Sequence, residues 1–101
     1  MSIDGLKLKY PDRIPVYVKK KENSDIDDVP KPKYLVPKEM TMGNMTYIIR
    51  KNIKLTPDKA MFVFVDNKLV PVSQSMGELY NQHKNDDGFL YIIYSAESTF
   101  G

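Results

Sequence analysis

A run of six apolar residues near the end of the chain, Phe89–Tyr94, constrains the fold more than any other feature of the sequence. A strand without a polar position is typical of the centre of a sheet, where both of its faces are covered. The turn signal Asp86-Asp87-Gly88 stands directly before it. Because about 20 apolar residues are needed to cross a bilayer, this run is too short to be a membrane span. We therefore expect a central, buried strand close to the end of the chain.

Two strands are predicted in the first third of the chain. Between Ile14 and Lys20 apolar residues occupy every second position, which is the period of a half-buried strand. Pro15 lies inside this segment and lacks an amide donor, so it indicates an edge position or a strand start. Tyr34–Val36 is a second short strand, which Pro37 closes. The polar residues 21–32 between the two strands are expected to form a loop.

Two helices and a second pair of strands follow. Thr41 is a candidate N-cap for a helix whose apolar residues recur at helical spacing as far as Ile53. Ser75 and Glu78 have the spacing of a capping box, which predicts the start of a second helix. Between the helices we expect a buried strand at Met61–Val65, a turn and a brief return strand at residues 69–71. Two hairpins around a helix indicate the α+β class and the β-grasp arrangement.

Charge is unevenly placed along this chain of 101 residues, whose net charge is +2. Residues 22–28 carry four acidic side chains and no basic one, whereas residues 31–59 carry seven basic and two acidic side chains. A basic section of this kind attracts acidic peptides or lipid headgroups. It is equally typical of an ordinary solvated surface, and the charge pattern leaves both interpretations open.

Residues that enzymes and metal sites commonly require are scarce. The chain has no cysteine, which excludes disulfides, thiol nucleophiles and thiolate metal sites, and His83 is its single histidine. Asp25, Asp27 and Asp28 resemble the start of a calcium loop but lack the glycine and the glutamate that complete one, so we expect a solvated loop. The glycines are isolated and form no phosphate-binding loop. We expect no catalytic residue, no metal site and no cofactor.

Several short motifs, taken in their order along the chain, resemble those of one protein family. Together they resemble the autophagy ubiquitin-like modifiers, the GABARAP-like proteins, from Lys9 to Gly101 without a long gap. Each motif alone is weakly specific, whereas the ordered set is very specific. The motifs are Lys9–Val16, Lys33–Pro37, Ile49–Lys51, Phe62–Asn67, Met76–Tyr80, Asp87–Tyr91, Tyr94-Ser95 and Phe100-Gly101.

The resemblance implies a ubiquitin-like β-grasp domain over residues 9–94. A short N-terminal segment, residues 1–8, would precede it, and a flexible conjugation tail, residues 95–101, would follow it. The family's N-terminal helical extension would be mostly missing, because only eight residues precede Lys9.

The resemblance also implies a modifier rather than an enzyme. In this family a cysteine protease exposes a C-terminal glycine, and activating and conjugating enzymes carry that glycine as a thioester to the amine of phosphatidylethanolamine. Gly101 is the matching residue. The protein is then expected to act in autophagosome formation, in the cytoplasm and, once conjugated to lipid, on the autophagosomal membrane.

A docking groove for cargo receptors and adaptors is implied as well. The receptors of this family carry an aromatic residue and, three positions later, an aliphatic one, and they add a strand beside the second strand. The matching residues are Pro15, Lys33, Leu35 and Phe89 for an aromatic pocket; Tyr34, Val36, Pro37, Met40, Met45 and Ile48 for an aliphatic pocket; and Arg13, Lys31 and Lys33 for acidic residues that flank the motif.

Two residues of the aliphatic pocket have an alternative role. Met45 and Ile48 lie on the inward stripe of the first helix, so packing in the core is their alternative role. Asn52 departs from the family pattern, in which a basic residue is frequent. We expect one contact to acidic motif residues to be lost there.

Two other functions compete with this one. The first is a trafficking adaptor that binds peptides in the same groove but is never conjugated to lipid through Gly101. A single-strand nucleic-acid binder would stack bases on Tyr10, Tyr17 and Tyr34 beside neighbouring lysines. The acidic stretches would repel phosphate, so we expect no nucleic-acid partner.

Overall fold

The computed structural model describes residues 12–22 and 24–97. In this part of the chain the elements follow the predicted order, strand, strand, helix, strand, short strand, helix and strand. The expectations for residues 1–8, for the missing helical extension and for Gly101 concern positions outside these ranges. The elements are β1 Arg13–Lys20, β2 Lys33–Pro37, α1 Met42–Asn52, β3 Phe62–Val65, β4 Lys68–Leu69, α2 Met76–His83 and β5 Leu90–Ser95.

The five strands form one mixed sheet in the order β2-β1-β5-β3-β4. β1 pairs with β2 and β3 pairs with β4, both antiparallel. β5 lies between the two hairpins, parallel to β1 and antiparallel to β3. The last strand of the chain thus enters the centre of the sheet, which is the β-grasp arrangement. The predicted α+β class and the central position of the apolar strand are confirmed.

The two faces of β5 are covered unequally. Leu90, Ile92 and Tyr94 are fully buried, whereas Tyr91 and Ile93 point to the other face and are only partly buried. The buried apolar residues of both helices pack with these three side chains in one core cluster. The expectation that both faces of this strand are covered is therefore wrong for Tyr91 and Ile93, because both helices contribute to the core on one side.

β1 is the second strand of the sheet and not an edge strand. Its ladder with β5 begins at Val16, one residue after Pro15. Pro15 is the third residue of β1 and lies one residue before its ladder with β5, so the expected edge position and the expected strand start are both wrong. A proline is tolerated there because its missing amide precedes the first residue of β1 that pairs with β5.

Both helices begin at the residues that the sequence predicts. The Thr41 hydroxyl accepts the Asn44 amide at 3.2 Å, and the Asn44 side chain accepts the Thr41 amide at 3.3 Å. Ser75 and Glu78 form the same reciprocal pair at 3.2 and 3.4 Å. A β-bridge between Thr41 and Ser75 holds the two helix starts side by side. Neither helix in the described ranges has the length and apolar character needed to cross a membrane.

The end of β5 is held by the loop that precedes β2. Ser95 is fully buried and is the last residue of the strand. The Ala96 amide donates to the Ser24 hydroxyl at 3.1 Å, and the Tyr94 hydroxyl donates to the Asp27 carbonyl at 2.7 Å. Ser95 and Ala96, the first two residues that the sequence assigns to the tail, are therefore packed in the folded domain. Ser95 pairs with Phe62 of β3, and this loop binds the Ala96 amide.

Candidate functional site

Among the described strands β2 lies at an edge of the sheet, so one side of its backbone faces none of the others. The Lys38 amide donates to the Asp12 carbonyl at 3.2 Å, and the Val18 amide donates to the Pro32 carbonyl at 2.8 Å. Both bonds join residues directly opposite each other on the register of the β1–β2 ladder. In an antiparallel ladder, hydrogen-bonded pairs alternate with pairs that are not hydrogen-bonded. These two bonds therefore show in which direction each backbone N–H and C=O group of β2 points.

The backbone groups of Tyr34 and Val36 point toward β1, and those of Lys33 and Leu35 point away from it. Pro37 has no amide, and its carbonyl accepts the Met40 amide at 3.1 Å. Two amides and two carbonyls are thus directed to the outer side of β2, where the described part of the chain places no strand. An extended peptide can pair with these four groups.

Arg13 reaches over to this free edge. Its guanidinium lies 3.5 Å from the Leu35 carbonyl, the long limit of a hydrogen bond, and its side chain is exposed. A docked strand needs the same carbonyl as an acceptor, so it has to displace the guanidinium. A long, exposed contact is displaced at little cost, and the released cation is then available to an acidic group.

On one face of the sheet, β2 adjoins an aromatic cluster of Tyr17, Phe89 and Tyr91. Tyr17 packs edge-on against Phe89 with ring centroids 6.3 Å apart and stacks on Tyr91 at 5.2 Å. The Lys33 ammonium lies 5.7 Å from the centre of the Phe89 ring. The four residues predicted for the aromatic pocket lie together at this face: Pro15, Lys33, Leu35 and Phe89. Pro15 and Leu35 are directly opposite each other in the β1–β2 ladder.

Tyr17 belongs to this cluster but was not among the predicted pocket residues. It stands two residues after Pro15 and opposite Lys33, so the period of a strand places it on the same face. That alternation was the signal in the sequence. Pro15 itself is fully buried and presents no surface of its own.

The residues predicted for the aliphatic pocket differ in accessibility. Met45 is fully buried and Val36 is 5% exposed, so both pack in the core. The alternative role of core packing is thus confirmed for Met45, whereas Ile48 is only partly buried. Pro37 is exposed, and the alternation along the strand places it on the face of Leu35. The predicted residues that present partly buried surface next to the core are Tyr34, Met40 and Ile48.

Asn52 has a role that the sequence did not indicate. Its side-chain amide donates to the Tyr34 hydroxyl at 2.8 Å, which joins the end of α1 to β2. The bond orients the Tyr34 ring beside the free edge. The two residues are 18 positions apart, so neither periodicity nor capping carried a signal for it.

The free edge is flanked by positive charge. Arg13, Lys31 and Lys33 are all exposed. The neighbouring carboxylate of Asp12 lies 3.9 Å from the Lys38 ammonium, so it is paired with another cation. The local field at the edge therefore favours acidic groups.

The turn before β5 holds Phe89 in place. The Asp87 carboxylate accepts the Tyr91 hydroxyl at 2.5 Å and the Phe89 amide at 3.0 Å. The bond from Tyr91, and after it the bond from Phe89, lowers the pKa of Asp87 below its usual value. The same bond raises the pKa of the Tyr91 hydroxyl. Both contacts therefore persist at neutral pH and orient the aromatic cluster.

His83 has a structural contact. Its Nδ1 atom lies 2.5 Å from an Asp66 carboxylate oxygen, and 29% of its side chain is exposed, as expected for a partly buried histidine. The contact joins α2 to the turn between β3 and β4. Within residues 12–22 and 24–97, no group of three or more histidine and acidic side chains is placed to hold a metal ion.

Known proteins resemble this chain over nearly its whole length. The family model described as "Autophagy protein Atg8 ubiquitin like" matches residues 2–101. Autophagy-related protein 8d of Arabidopsis thaliana is 52% identical over 96 residues, which cover 95% of this chain and 80% of that protein. Autophagy-related protein 8 of Coccidioides immitis (strain RS) is 55% identical over 98 residues, which cover 97% of this chain and 84% of that protein.

Two solved structures of known proteins share the fold of this chain. The crystal structure of Trypanosoma brucei ATG8 superposes with a TM-score of 0.87 at 38% identity, covering 97% of this chain and 84% of that one. Plasmodium falciparum Atg8 in complex with a Plasmodium falciparum Atg3 peptide also gives a TM-score of 0.87, at 31% identity, covering 96% and 86% of the two chains. Both the sequence comparison and the fold comparison thus find Atg8 proteins.

Proposed function

This chain belongs to the Atg8 family of ubiquitin-like autophagy proteins, and from that membership we propose that it is attached through Gly101 to the amine of phosphatidylethanolamine. Proteins of this family are ubiquitin-like modifiers rather than enzymes. In the proposed cycle a cysteine protease exposes the glycine. Activating and conjugating enzymes then carry it as a thioester to the lipid. The protein acts in the cytoplasm and, when conjugated, on the autophagosomal membrane.

We further propose that the free edge of β2 receives cargo receptors and adaptors with aromatic-x-x-aliphatic motifs. The observation that carries this proposal is the outward direction of the Lys33 and Leu35 backbone groups. A peptide paired there extends the sheet by one strand, and its main chain supplies the same bonds whatever its sequence. Side chains at the two faces then provide specificity.

The spacing of the motif suits the two faces of β2. In an extended strand, positions three residues apart lie on opposite faces and about 10 Å apart along the strand. A docked aromatic residue on the face of Leu35 meets Lys33 and Phe89. The aliphatic residue then lies on the helix side, beside Tyr34 and Ile48. Each side chain of the motif thus has an apolar surface of its own.

Peptide binding by a relative supports a peptide surface here. The Plasmodium falciparum relative was solved with an Atg3 peptide. By analogy we propose that the conjugating enzyme engages this chain through a short peptide, and that this peptide uses the β2 edge.

Reconstitution with the activating and conjugating enzymes, ATP and vesicles containing phosphatidylethanolamine tests the modifier function. We expect mass spectrometry to find one lipid on Gly101, and deletion of Gly101 to abolish it. In the described part of the chain the last contact is at Glu97, whose amide donates to the Ser95 hydroxyl at 3.0 Å. Gly101 lies four residues beyond it, so the deletion should leave peptide affinity and the midpoint of thermal unfolding nearly unchanged.

A Ser98→Ala variant is the matched control, because it alters the same segment but keeps the glycine and should be conjugated normally. Lipid found on the deletion variant would overturn the proposal. An unaltered chain that binds receptor peptides but never accepts lipid would instead be a trafficking adaptor that uses the same edge.

A further inference from the structure

A depression of about 540 Å³ at the end of α1 is separate from the β2 edge. Of the residues in the described ranges, four cations line it and no acidic side chain does. We call this surface the basic patch; the residues that define it are Tyr47, Arg50, Lys51, Lys54 and Lys59.

The chain reverses direction within the basic patch, and this reversal groups its cations. Lys54 adopts the left-handed conformation, with φ of 56°, directly after α1. The Arg50 guanidinium donates to the Thr56 carbonyl at 2.9 Å and so closes the loop against the helix. Lys59 is thereby brought next to residues of α1. Lys51, Lys54 and Lys59 are exposed, so their ammonium groups face solvent.

Tyr47 adds an aromatic ring to this charge. Its side chain is 67% exposed, which makes it one of three large hydrophobic residues that the described domain leaves uncovered. An amphipathic ring beside lysines and an arginine is typical of surfaces that lie at the headgroup level of a membrane.

The basic patch lies beside the root of the C-terminal tail. A second depression, of about 490 Å³, is lined by Lys54 and Lys59 and also by Ala96. Beyond Glu97, the four peptide units that lead to Gly101 span at most about 14 Å. A lipid on Gly101 therefore keeps the bilayer surface within about 14 Å of Glu97, so the domain can turn these cations toward it. The negative potential of an anionic leaflet extends about one Debye length, or roughly 8 Å, from its surface.

We propose that the basic patch is a membrane-facing surface that binds anionic phospholipid headgroups when the chain is anchored at Gly101. The inference rests on the proposed function, because the anchor supplies the high local concentration that makes weak headgroup contacts effective. Asp25 and Asp27 line the other part of the second depression. Their charge repels an anionic surface, so the contact is confined to the side of Tyr47.

A reconstituted system tests this orientation without the conjugation enzymes. The chain has no cysteine and no tryptophan. A Gly101→Cys variant can therefore be coupled at one site to a maleimide lipid, and a Tyr47→Trp change supplies a single fluorescent reporter. On phosphatidylcholine vesicles that contain phosphatidylserine we expect the reporter emission to shift to shorter wavelength. On pure phosphatidylcholine vesicles it should not shift.

Four comparisons accompany the measurement. A Leu69→Trp reporter, on the exposed strand β4 outside the patch, should not shift on either vesicle. In the Tyr47→Trp protein, Lys54→Gln with Lys59→Gln should lower the ratio of bound to unbound patch about 25-fold, since each cation near such a surface contributes about fivefold. Lys68→Gln is the matched charge change and should have no effect. High salt should reduce the emission shift of the Tyr47→Trp protein with all four cations present, as the double substitution does. This result would show that the loss in the double variant does not come from misfolding.

Equal shifts for the two reporters would mean that no particular face meets the membrane, and would overturn the proposal. So would a Tyr47→Trp reporter that is unaffected by phosphatidylserine. A reporter that responds to a soluble polyglutamate peptide but not to anionic vesicles would assign the patch to acidic proteins instead. Because the lipid is coupled chemically, these outcomes are independent of whether enzymes conjugate Gly101.

Discussion

Tyr94 shows at the scale of one residue how the domain retains its C-terminal strand. It is the largest fully buried side chain in the described ranges, and its hydroxyl donates to the Asp27 carbonyl at 2.7 Å. Burial raises the pKa of this hydroxyl to about 12. The neutral phenol is thus bound to the loop that also holds Ala96.

The raised pKa predicts a loss of stability in alkali. A group with a higher pKa in the folded state stabilises fully below its unfolded pKa, about 10 for tyrosine, and this contribution is lost as pH rises toward 12. Tyr94→Phe removes a hydrogen bond, so we expect it to lower the free energy of unfolding by about 1 kcal/mol at pH 8. Between pH 10 and pH 11 that deficit should shrink, because the variant has no phenol to ionise.

Urea unfolding at several pH values measures both effects. Tyr47→Phe, at a ring that is 67% exposed, is the control and should show no deficit that changes with pH. A deficit of Tyr94→Phe that stays constant from pH 8 to pH 11 would contradict the buried, hydrogen-bonded phenol.

At the scale of an element, β2 combines three properties that suit a peptide-binding edge. Its outer backbone groups are directed away from the sheet, one of its faces adjoins an aromatic cluster, and its other face adjoins α1. The opposite edge strand, β4, has only two residues and offers a peptide little backbone to pair with. Exposed edges are usually short or charged, so a five-residue edge with apolar sides is typical of a binding surface.

The two edge strands allow a matched test of peptide docking. Leu35→Asp places an unpaired carboxylate against the docked aromatic residue and should weaken an aromatic-x-x-aliphatic peptide by about 2 kcal/mol or more. Leu69→Asp makes the same change on β4, where 54% of the leucine is already exposed, and should leave affinity unchanged. Calorimetry gives the affinities, and NMR titration should move the amides of Lys33 and Leu35 first. Unchanged affinity in a folded Leu35→Asp protein would refute the assignment of the groove.

Over the whole molecule, the positive charge of residues 31–59 is divided between two surfaces. Lys31 and Lys33 lie at the β2 edge, whereas Lys51, Lys54 and Lys59 belong to the basic patch. The end of α1 carries Lys51 of the basic patch and also joins β2 through Asn52. One basic section of sequence thus serves two proposed ligands, an acidic peptide and an anionic membrane.

Salt separates the charged component of docking from the apolar one. Exposed charges are screened over about 8 Å at physiological ionic strength. We therefore expect peptides with acidic flanks to lose affinity as salt is added, while peptides with neutral flanks change little. For peptides with acidic flanks, Lys31→Gln should reduce the salt-dependent part of the binding free energy by about 0.2–1 kcal/mol, which is what an exposed ion pair usually contributes. Lys68→Gln should leave it unchanged. Equal salt dependence for the two peptide classes would mean that these lysines are only a solvated surface.

Local chemistry is what the sequence determined by itself. Capping boxes act over three residues, and periods of two and 3.6 act within one element, so the starts of both helices and the order of all seven elements were predictable. The continuous apolar run identified the central strand for the same reason. The candidate peptide residues came from resemblance to a family, and the sequence did not divide them into buried and accessible members.

Long-range pairing is what only the tertiary structure decided. The free edge of β2 exists because β5 occupies the other side of β1, and that choice joins strands more than 60 residues apart. Met45 is buried while Ile48 keeps accessible surface, although both lie on the inward stripe of α1. The bonds from Asn52 to Tyr34 and from Ala96 to Ser24 have no local signature either. Contacts of this kind depend on how whole elements pack, and no period or short motif in the sequence encodes that packing.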